Sequence, residues 1–562
     1  MDDHHLGWVR LSLSIALLGC PARRPPGPPP PAARVEVLDS TIVFDASRDE
    51  DSDAAAAESD LGGLDVVQAP APAGPSSFDR PMAEVWPAVN TWSDALEREY
   101  EGFVAALGRA VAARRCRRLD QCLADPSINT LFDAPTDRRL NLSVDCADLP
   151  YVLRAYFAFK RRLPMGFVSA LRGVGDDPRY MTRMRPTAWR DWTQYRTPRA
   201  LFRGMTDAVH SGMYRFAPEV EASDFYPVAM RRDALRPGAV YYDPNGHVLA
   251  VTEVRDDGTV FLIDGHPDGS LTFKRFGEAF AIGTRRLGGG FKRFRGTAWD
   301  GRALARTPNA ALPLFDGVSQ WSEGVWQGAS GEADAGPRAR VSYHAWVRET
   351  LAAAGTVRDP VRDLGESLEA FCRDLSDRAD AVTLALDAGL AQQPHPHTLP
   401  WNIYGTSGDW ETWSTPSRDA RLKAALRELT ALITESLREA PPGRREALTE
   451  VYLATTRSPA CTVTYRGSDG QPVSLTFDTL VDRLWGLSFD PYHCAELRWG
   501  APPGSPERQR CGDGPEKLRW YLAEQPLRNQ IDRFYGVATP LDMGPREPPD
   551  IDPRRALGLA TR

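Results

Sequence analysis

The chain has 562 residues, 42% hydrophobic and 25% charged, with a formal net charge of −7. That size implies two to four domains of ordinary globular composition. Both signs of charge are interspersed and no basic stripe dominates, which excludes nucleic acid as a partner. No apolar run is long enough to span a bilayer as a stable helix.

In chain order, residues 1–20 read as a signal peptide. Arg10 precedes the apolar run Leu11–Leu18, and Gly19-Cys20 closes it. Leu17-Leu18-Gly19-Cys20 resembles a bacterial lipobox. The resemblance implies that Cys20 is lipidated and that the protein is a lipid-anchored lipoprotein of the cell envelope. Residues 21–80 read as a disordered tether. The run Pro25–Pro31 favours an extended polyproline path, and the acidic, alanine-rich stretch from Asp45 to Asp60 buries too little apolar surface to fold.

Order is expected from residue 81 to residue 300. Leu96, Tyr100, Phe103, Val104, Leu107 and Val111 share one face of a helix spanning Ser93–Leu119. A second helix follows Cys146, with Leu149, Val152, Leu153 and Tyr156 at helical spacing, and closes near Leu163-Pro164. Residues 165–230 show no clean period. The period then becomes alternating: Ala239–Tyr242, Val248–Val254 and Thr259–Ile263 read as strands. Asp256-Asp257-Gly258 makes a hairpin turn, and Gly288–Phe294 a closing strand. The fold class is α+β, with the Cys146 helix packed on an antiparallel sheet. Residues 301–340 read as a linker. Residues 341–562 read as a mainly helical accessory domain, with helices over Leu364–Leu390 and Ser417–Leu437 and a hairpin over Thr462–Phe477.

The cysteines are Cys20, Cys116, Cys122, Cys146, Cys372, Cys461, Cys494 and Cys511. Setting aside a lipidated Cys20 and a reactive Cys146 leaves an even number, as an oxidising compartment favours. Cys494 and Cys511 bracket a Pro/Gly-rich loop and are the first candidate disulfide; Cys116 and Cys122 are the second. No paired Cys-x-x-Cys supports a zinc site, and neither metal nor cofactor is expected.

Cys146, His247 and Asp264 follow the order of a thiol nucleophile, its base and an orienting group. Cys146 opens a helix, whose N-terminus favours a thiolate with a lowered pKa. Its own N–H suits an oxyanion. His247 opens a strand after the Pro244-Asn245-Gly246 turn, and Asp264 returns beside it on the next strand. A carboxylate there fixes the tautomer of the base. His266 is the alternative third residue, although its place among Gly265 and Pro267 reads as a solvated turn.

Asp145-Cys146-Ala147-Asp148-Leu149 and its helix resemble the nucleophile helix of NlpC-type cell-wall peptidases. Arg236–Tyr242 leading to Gly246-His247-Val248 resembles the strand pair before the histidine there and in CHAP amidases. Glu253-Val254, Asp257-Gly258-Thr259-Val260 and Asp264 resemble the CHAP pattern. These families belong to the papain-like superfamily, and transglutaminase-like proteins share the Cys-His-Asp order. The resemblance implies a papain-like thiol hydrolase with peptide or peptidoglycan substrates and no cofactor. Two alternatives stand beside it: a transglutaminase-like acyl transferase on the same triad, and a catalytically inactive anchored binding or structural protein. Nothing in the sequence sets the oligomeric state.

Other clusters read as structural. Tyr343-His344-Ala345-Trp346 and the tryptophans Trp189, Trp192, Trp401, Trp410 and Trp413 read as packing. His395-Pro396-His397 has no acidic or cysteine partner nearby in sequence and reads as a proline-rich loop. Phe489–Cys494 reads as a disulfide-stapled loop.

Overall fold

The computed structural model describes residues 85–559, apart from 176, 180, 284, 322–342, 398–407, 414–415, 439 and 532–545. It also describes a short strand, β1 (Thr41–Ile42). The signal peptide, the lipidation candidate Cys20 and, β1 apart, the 21–80 tether lie outside the described residues. Among the described residues no helix is long and apolar enough to cross a membrane. The architecture mixes helices with antiparallel sheet.

Helix α1 (Asp94–Ala112) begins where the Ser93 hydroxyl accepts the Leu96 N–H at 3.4 Å. Its expected face is buried, Leu96 excepted, but the helix stops at Ala112. The short helices α2 (Leu119–Ala124) and α3 (Ala134–Asp137) lead to α4 (Asp148–Arg161). Helix α4 ends where Arg162 turns left-handed at φ 52° and Leu163 N–H reaches back to Ala158 C=O at 2.8 Å. Phe103 stacks on Tyr156 and Tyr100 meets Phe157 edge-on, which seats α1 against α4.

The segment without a clean period holds a long hairpin, β2 (Gly166–Val174) and β3 (Thr182–Asp191), then helix α5 (Pro198–Thr206). β1 pairs with β2. Register shifts interrupt the β2–β3 ladder, so the pattern along it is broken and the sequence does not advertise it.

The main sheet has six antiparallel strands in the order β4 (Phe225–Pro227), β9 (Gly290–Phe294), β5 (Val240–Asp243), β6 (His247–Val254), β7 (Val260–Gly265), β8 (Leu271–Arg275). Successive side chains alternate between two cores. Val240, Tyr242, Val248, Ala250 and Ile263 pack with α1 and α4. Tyr241, Leu249, Val251 and Leu262 pack with Tyr343, Val347 and Leu351 of α6 (Tyr343–Leu351) on the other side. A sheet buried on both faces reads as continuous apolar runs, as Val248–Val251 and Val260–Ile263 do. The hairpin turn is docked too. A Cβ on Gly258, at φ +79°, would lie 1.8 Å from the Arg348 carbonyl of α6.

The expected 301–340 linker is structured in part. Residues 297–306 form the hairpin β10 (Thr297–Trp299) and β11 (Leu304–Arg306). Gln320 is fully buried, with its amide bonded to Val228 C=O and to both backbone groups of Phe291. That buried amide ties the segment to the sheet instead of letting it swing.

The helical part is built on α7 (Pro360–Asp387), the short α8 (Asp409–Trp413), α9 (Pro416–Leu437) and α10 (Arg444–Thr456). Leu364, Leu368, Phe371 and Leu375 pack against Leu422, Leu426, Leu429 and Ile433. The hairpin β12 (Val463–Arg466) and β13 (Pro472–Leu475) follows, then α11 (Phe477–Arg483), α12 (Ala495–Arg498), α13 (Pro515–Ala523), α14 (Gln525–Arg528) and α15 (Pro553–Leu557). The described residues fall in one compact unit. Ion pairs join the helices to the sheet: Lys274–Asp374 at 2.6 Å, Arg255–Glu366 at 2.8 Å and Arg275–Glu428 at 3.3 Å.

Three disulfides are present: Cys116–Cys122, Cys494–Cys511 and Cys372–Cys461. The last joins α7 to the start of the β12 hairpin. Its partners are 89 positions apart, so no local spacing announces it.

Candidate active site

Cys146 sits between two carboxylates that cap the next helix. Asp145 Oδ1 accepts the N–H groups of Ala147 at 2.8 Å and Asp148 at 2.9 Å. Asp148 Oδ2 accepts the Asp145 N–H at 3.2 Å, giving a reciprocal capping box. Helix α4 therefore starts two residues after the thiol, and Pro150 falls in the first turn, where no intrahelical N–H partner is needed. Among the described residues the Cys146 N–H makes no hydrogen bond.

The strands β6 and β7 bring His247 and Asp264 together. Ala250 lies opposite Ile263 in register, so His247 and Asp264 are diagonal neighbours on one face. His247 Nε2 lies 2.8 Å from Asp264 Oδ2. Asp264 is fully buried, which raises its carboxyl, but its histidine neighbours His266 and His247 hold it well below the usual range. An ionised carboxylate only accepts, so Nε2 carries the ring proton and Nδ1 keeps its lone pair. Among the described residues that Nδ1 makes no hydrogen bond.

His266 is not a solvated turn residue. It is buried, its Nε2 lies 3.1 Å from Thr272 Oγ1 and 3.6 Å from Asp264 Oδ2, and its ring stacks on that of His247. The Thr272 hydroxyl donates to Asp264 Oδ1. Strand β8, which carries Thr272 beside Asp264 in the ladder, was not evident in the sequence. Thr272 and His266 thus hold the carboxylate that holds His247.

The thiol joins this group incompletely. A Cβ on Gly265 would lie 2.5 Å from the Asp145 carbonyl, so β7 presses directly on the segment before Cys146. The Val248 N–H faces the sulfur and favours its anionic form. No hydrogen bond links Cys146 to His247 among the described residues. Strand alternation explains this. His247 shares its face with Leu249 and Val251, whereas α4 packs on the face of Val248 and Ala250. Of this cluster, the Val248 N–H and the Asp264 charge are what act on the sulfur.

Electrostatics also differ from the expectation of a lowered thiol pKa. Burial pushes the Cys146 thiol well up, and Asp145, Asp264 and Asp148 add to the rise. The helix N-terminus does not offset three carboxylates. Burial, with the Arg421 guanidinium second, lowers His247 to about 3 against the pull of Asp264. The resting pair is a neutral thiol and a neutral imidazole, not an ion pair.

Arg421 belongs to α9, so the helical part reaches the site. Arg418, one turn earlier, lies 3.5 Å from Asp268. On α8, Glu411 lies 3.7 Å from Arg179. Tyr214 donates to Ala147 C=O at 2.6 Å beside the thiol. These contacts from distant segments carried no signal in the sequence. Of the residues read as packing, Tyr343, Trp192 and Trp410 are buried, and Trp401 lies outside the described residues. Comparison with family models, with curated proteins and with solved structures finds no match.

Proposed function

We propose that the protein is a thiol hydrolase of amide or peptide bonds, with Cys146 as nucleophile, His247 as base and Asp264 as the group that orients it. The observation that carries this reading is the 2.8 Å His247–Asp264 pair, with Nδ1 unprotonated, on the strand whose Val248 N–H faces the Cys146 sulfur, together with a Cys146 N–H that makes no hydrogen bond among the described residues. A neutral pair acts by general base catalysis. His247 Nδ1 takes the thiol proton as sulfur attacks the carbonyl carbon, and Asp264 stabilises the imidazolium formed. The Val248 N–H faces the sulfur, and the Cys146 N–H, unbonded among the described residues, would donate to the carbonyl oxygen on which negative charge develops. His247 then returns the proton to the leaving amine, and water hydrolyses the thioester. Sulfur and Nδ1 must first close to about 3 Å, since catalytic contacts often tighten only with substrate present.

A cysteine helix followed by antiparallel strands bearing histidine and aspartate supports a papain-like domain, with cell-wall peptides as the implied substrate. Six of the seven described cysteines are bonded and Cys146 is the free one. That division supports an oxidising compartment, and with the lipobox resemblance a lipid-anchored protein of the cell envelope. Transfer of the same thioester to an amine would be transglutaminase-like chemistry.

The inactive binding protein is the second reading. The raised thiol and the missing sulfur–imidazole bond favour it. Purified full chain is incubated with muropeptides and product amines are measured for wild type, Cys146→Ala and His247→Ala. Hydrolysis in wild type alone supports the enzyme; equal inactivity of all three, with Cys146 alkylated only after denaturation, overturns it.

A further inference from the structure

The helical part contains a second histidine–carboxylate cluster, far from Cys146 in sequence. His395 follows the 3-10 turn Leu390–Gln392, Asp490 lies in the loop before α12, and Glu524 caps the C-terminus of α13. The acidic partner that His395 lacks in sequence arrives from 95 positions away. All three side chains are buried, and their donor atoms lie within 4.8 Å of one another.

The hydrogen bonds here do not close. His395 Nδ1 lies 2.6 Å from the Pro396 carbonyl, which only accepts, so Nδ1 carries a proton. His395 Nε2 lies 2.7 Å from Asp490 Oδ2, another acceptor. A neutral imidazole has one N–H and cannot serve both. A second ring proton would serve both acceptors, and so would a metal ion: Nε2 and Oδ2 would then both turn lone pairs toward the cation, and Nδ1–H anchored on a backbone carbonyl is the usual support of a metal-bound histidine. Glu524 is the second sign. It is fully buried against the Asp490 carboxylate, and neither Oε1 nor Oε2 accepts a hydrogen bond from an N–H or hydroxyl donor among the described residues.

Arg528 and His493 do not take this place. Arg528 Nη1 stays 3.7 Å from Glu524 Oε2, while its guanidinium lies over the Tyr521 ring and bonds Gln525. Arg498 donates to the Ser488 carbonyl. His493 is satisfied by Ser488 Oγ at 2.7 Å and the Lys517 carbonyl at 3.1 Å, and stands 3.5 Å from Asp490.

We propose that His395, Asp490 and Glu524 bind a divalent transition-metal ion that ties three separate segments of the helical part together. One imidazole and two carboxylates suit zinc, with distances of about 2.0–2.2 Å, and the imidazole disfavours calcium or magnesium. Glu524 supplies one or both oxygens. The enclosed site makes the ion structural, since no open position faces solvent.

The test uses the full chain, dialysed against metal-free buffer after incubation with zinc chloride. Elemental analysis should find about one zinc per chain. A chelator should lower the melting temperature by several degrees, and added zinc should restore it. Glu524→Gln keeps the shape and can hydrogen-bond Asp490; it should retain less than a tenth of the zinc and lose the zinc-dependent shift. Cys146→Ala should keep the ion, which places it away from the thiol. The proposal is overturned by wild type that takes up no zinc and melts identically with and without chelator. It is equally overturned by Glu524→Gln that retains full zinc, or by loss of the ion in Cys146→Ala. Should Glu524→Gln not fold, zinc content and the chelator–zinc cycle of wild type and Cys146→Ala decide.

Discussion

Two histidine–aspartate pairs with nearly the same length sit in different parts of this molecule. His247 Nε2–Asp264 Oδ2 is 2.8 Å at the end of the sheet, and His395 Nε2–Asp490 Oδ2 is 2.7 Å among the helices. The second ring nitrogen separates them. In His247 it makes no hydrogen bond among the described residues; in His395 it is bound to a backbone carbonyl at 2.6 Å. A carboxylate that fixes a tautomer prepares a base when the other nitrogen is left open. The same pair, with that nitrogen occupied and a buried glutamate added, prepares a ligand set.

The largest expected effect breaks the first pair. Cys146→Ala and His247→Ala should each lower peptide hydrolysis by about 10³-fold or more, with the melting transition nearly unchanged in Cys146→Ala. Asp264→Asn should leave the ring in place but loosen its tautomer, lowering turnover by about 10²-fold or more. Rates measured on one muropeptide check all three. A variant series in which only Cys146→Ala matters would remove His247 from the chemistry.

Next in size is the staple of the helical part. Replacing both Cys372 and Cys461 by alanine frees an 89-residue loop and should cost about 4.6 kcal/mol in the chain-entropy model. Denaturant unfolding of the double variant measures it. The comparison sharpens if this loss leaves the reactivity of Cys146 unaltered.

Acid should act through the first pair as well. His247 binds its proton near the ordinary value in the unfolded chain but only at about 3 when folded. Between those values the unfolded state holds more protons, so stability falls as pH drops from about 6.5 towards 3. For one buried ring the loss is on the order of 2–4 kcal/mol. His247→Gln should show a shallower decline by urea unfolding between pH 7 and pH 4; an equally steep decline would assign the effect to other groups, such as His210 and His493, which burial lowers to about 4.

The smallest effect is on the thiol itself. Because burial and three carboxylates raise it, alkylation of the folded protein by iodoacetamide should climb only above about pH 9. A midpoint below about 8.5 that moves up in His247→Ala would show an ion pair and contradict the neutral resting state.

Local pattern by itself determined the elements with a strong period. The apolar face of α1, the helix after Cys146, the runs of β5, β6 and β7, and the β12–β13 hairpin follow from side-chain spacing and turn residues. It also determined the candidates Cys146, His247 and Asp264, and the short-range cysteine pairs Cys116–Cys122 and Cys494–Cys511. The β2–β3 hairpin was not legible because register shifts break its alternation. Only the tertiary structure decided which face each histidine takes, because strand parity is set against partners such as α4 and α6 that local pattern does not place. It alone decided that Thr272 and His266 support Asp264, that Arg421 lowers His247 from across the molecule, and that three carboxylates raise the thiol. It alone brought Asp490 and Glu524 to His395. Electrostatics depends on distance in space and on burial, and a chain that returns to a point after 95 residues leaves no trace of that meeting in its local pattern.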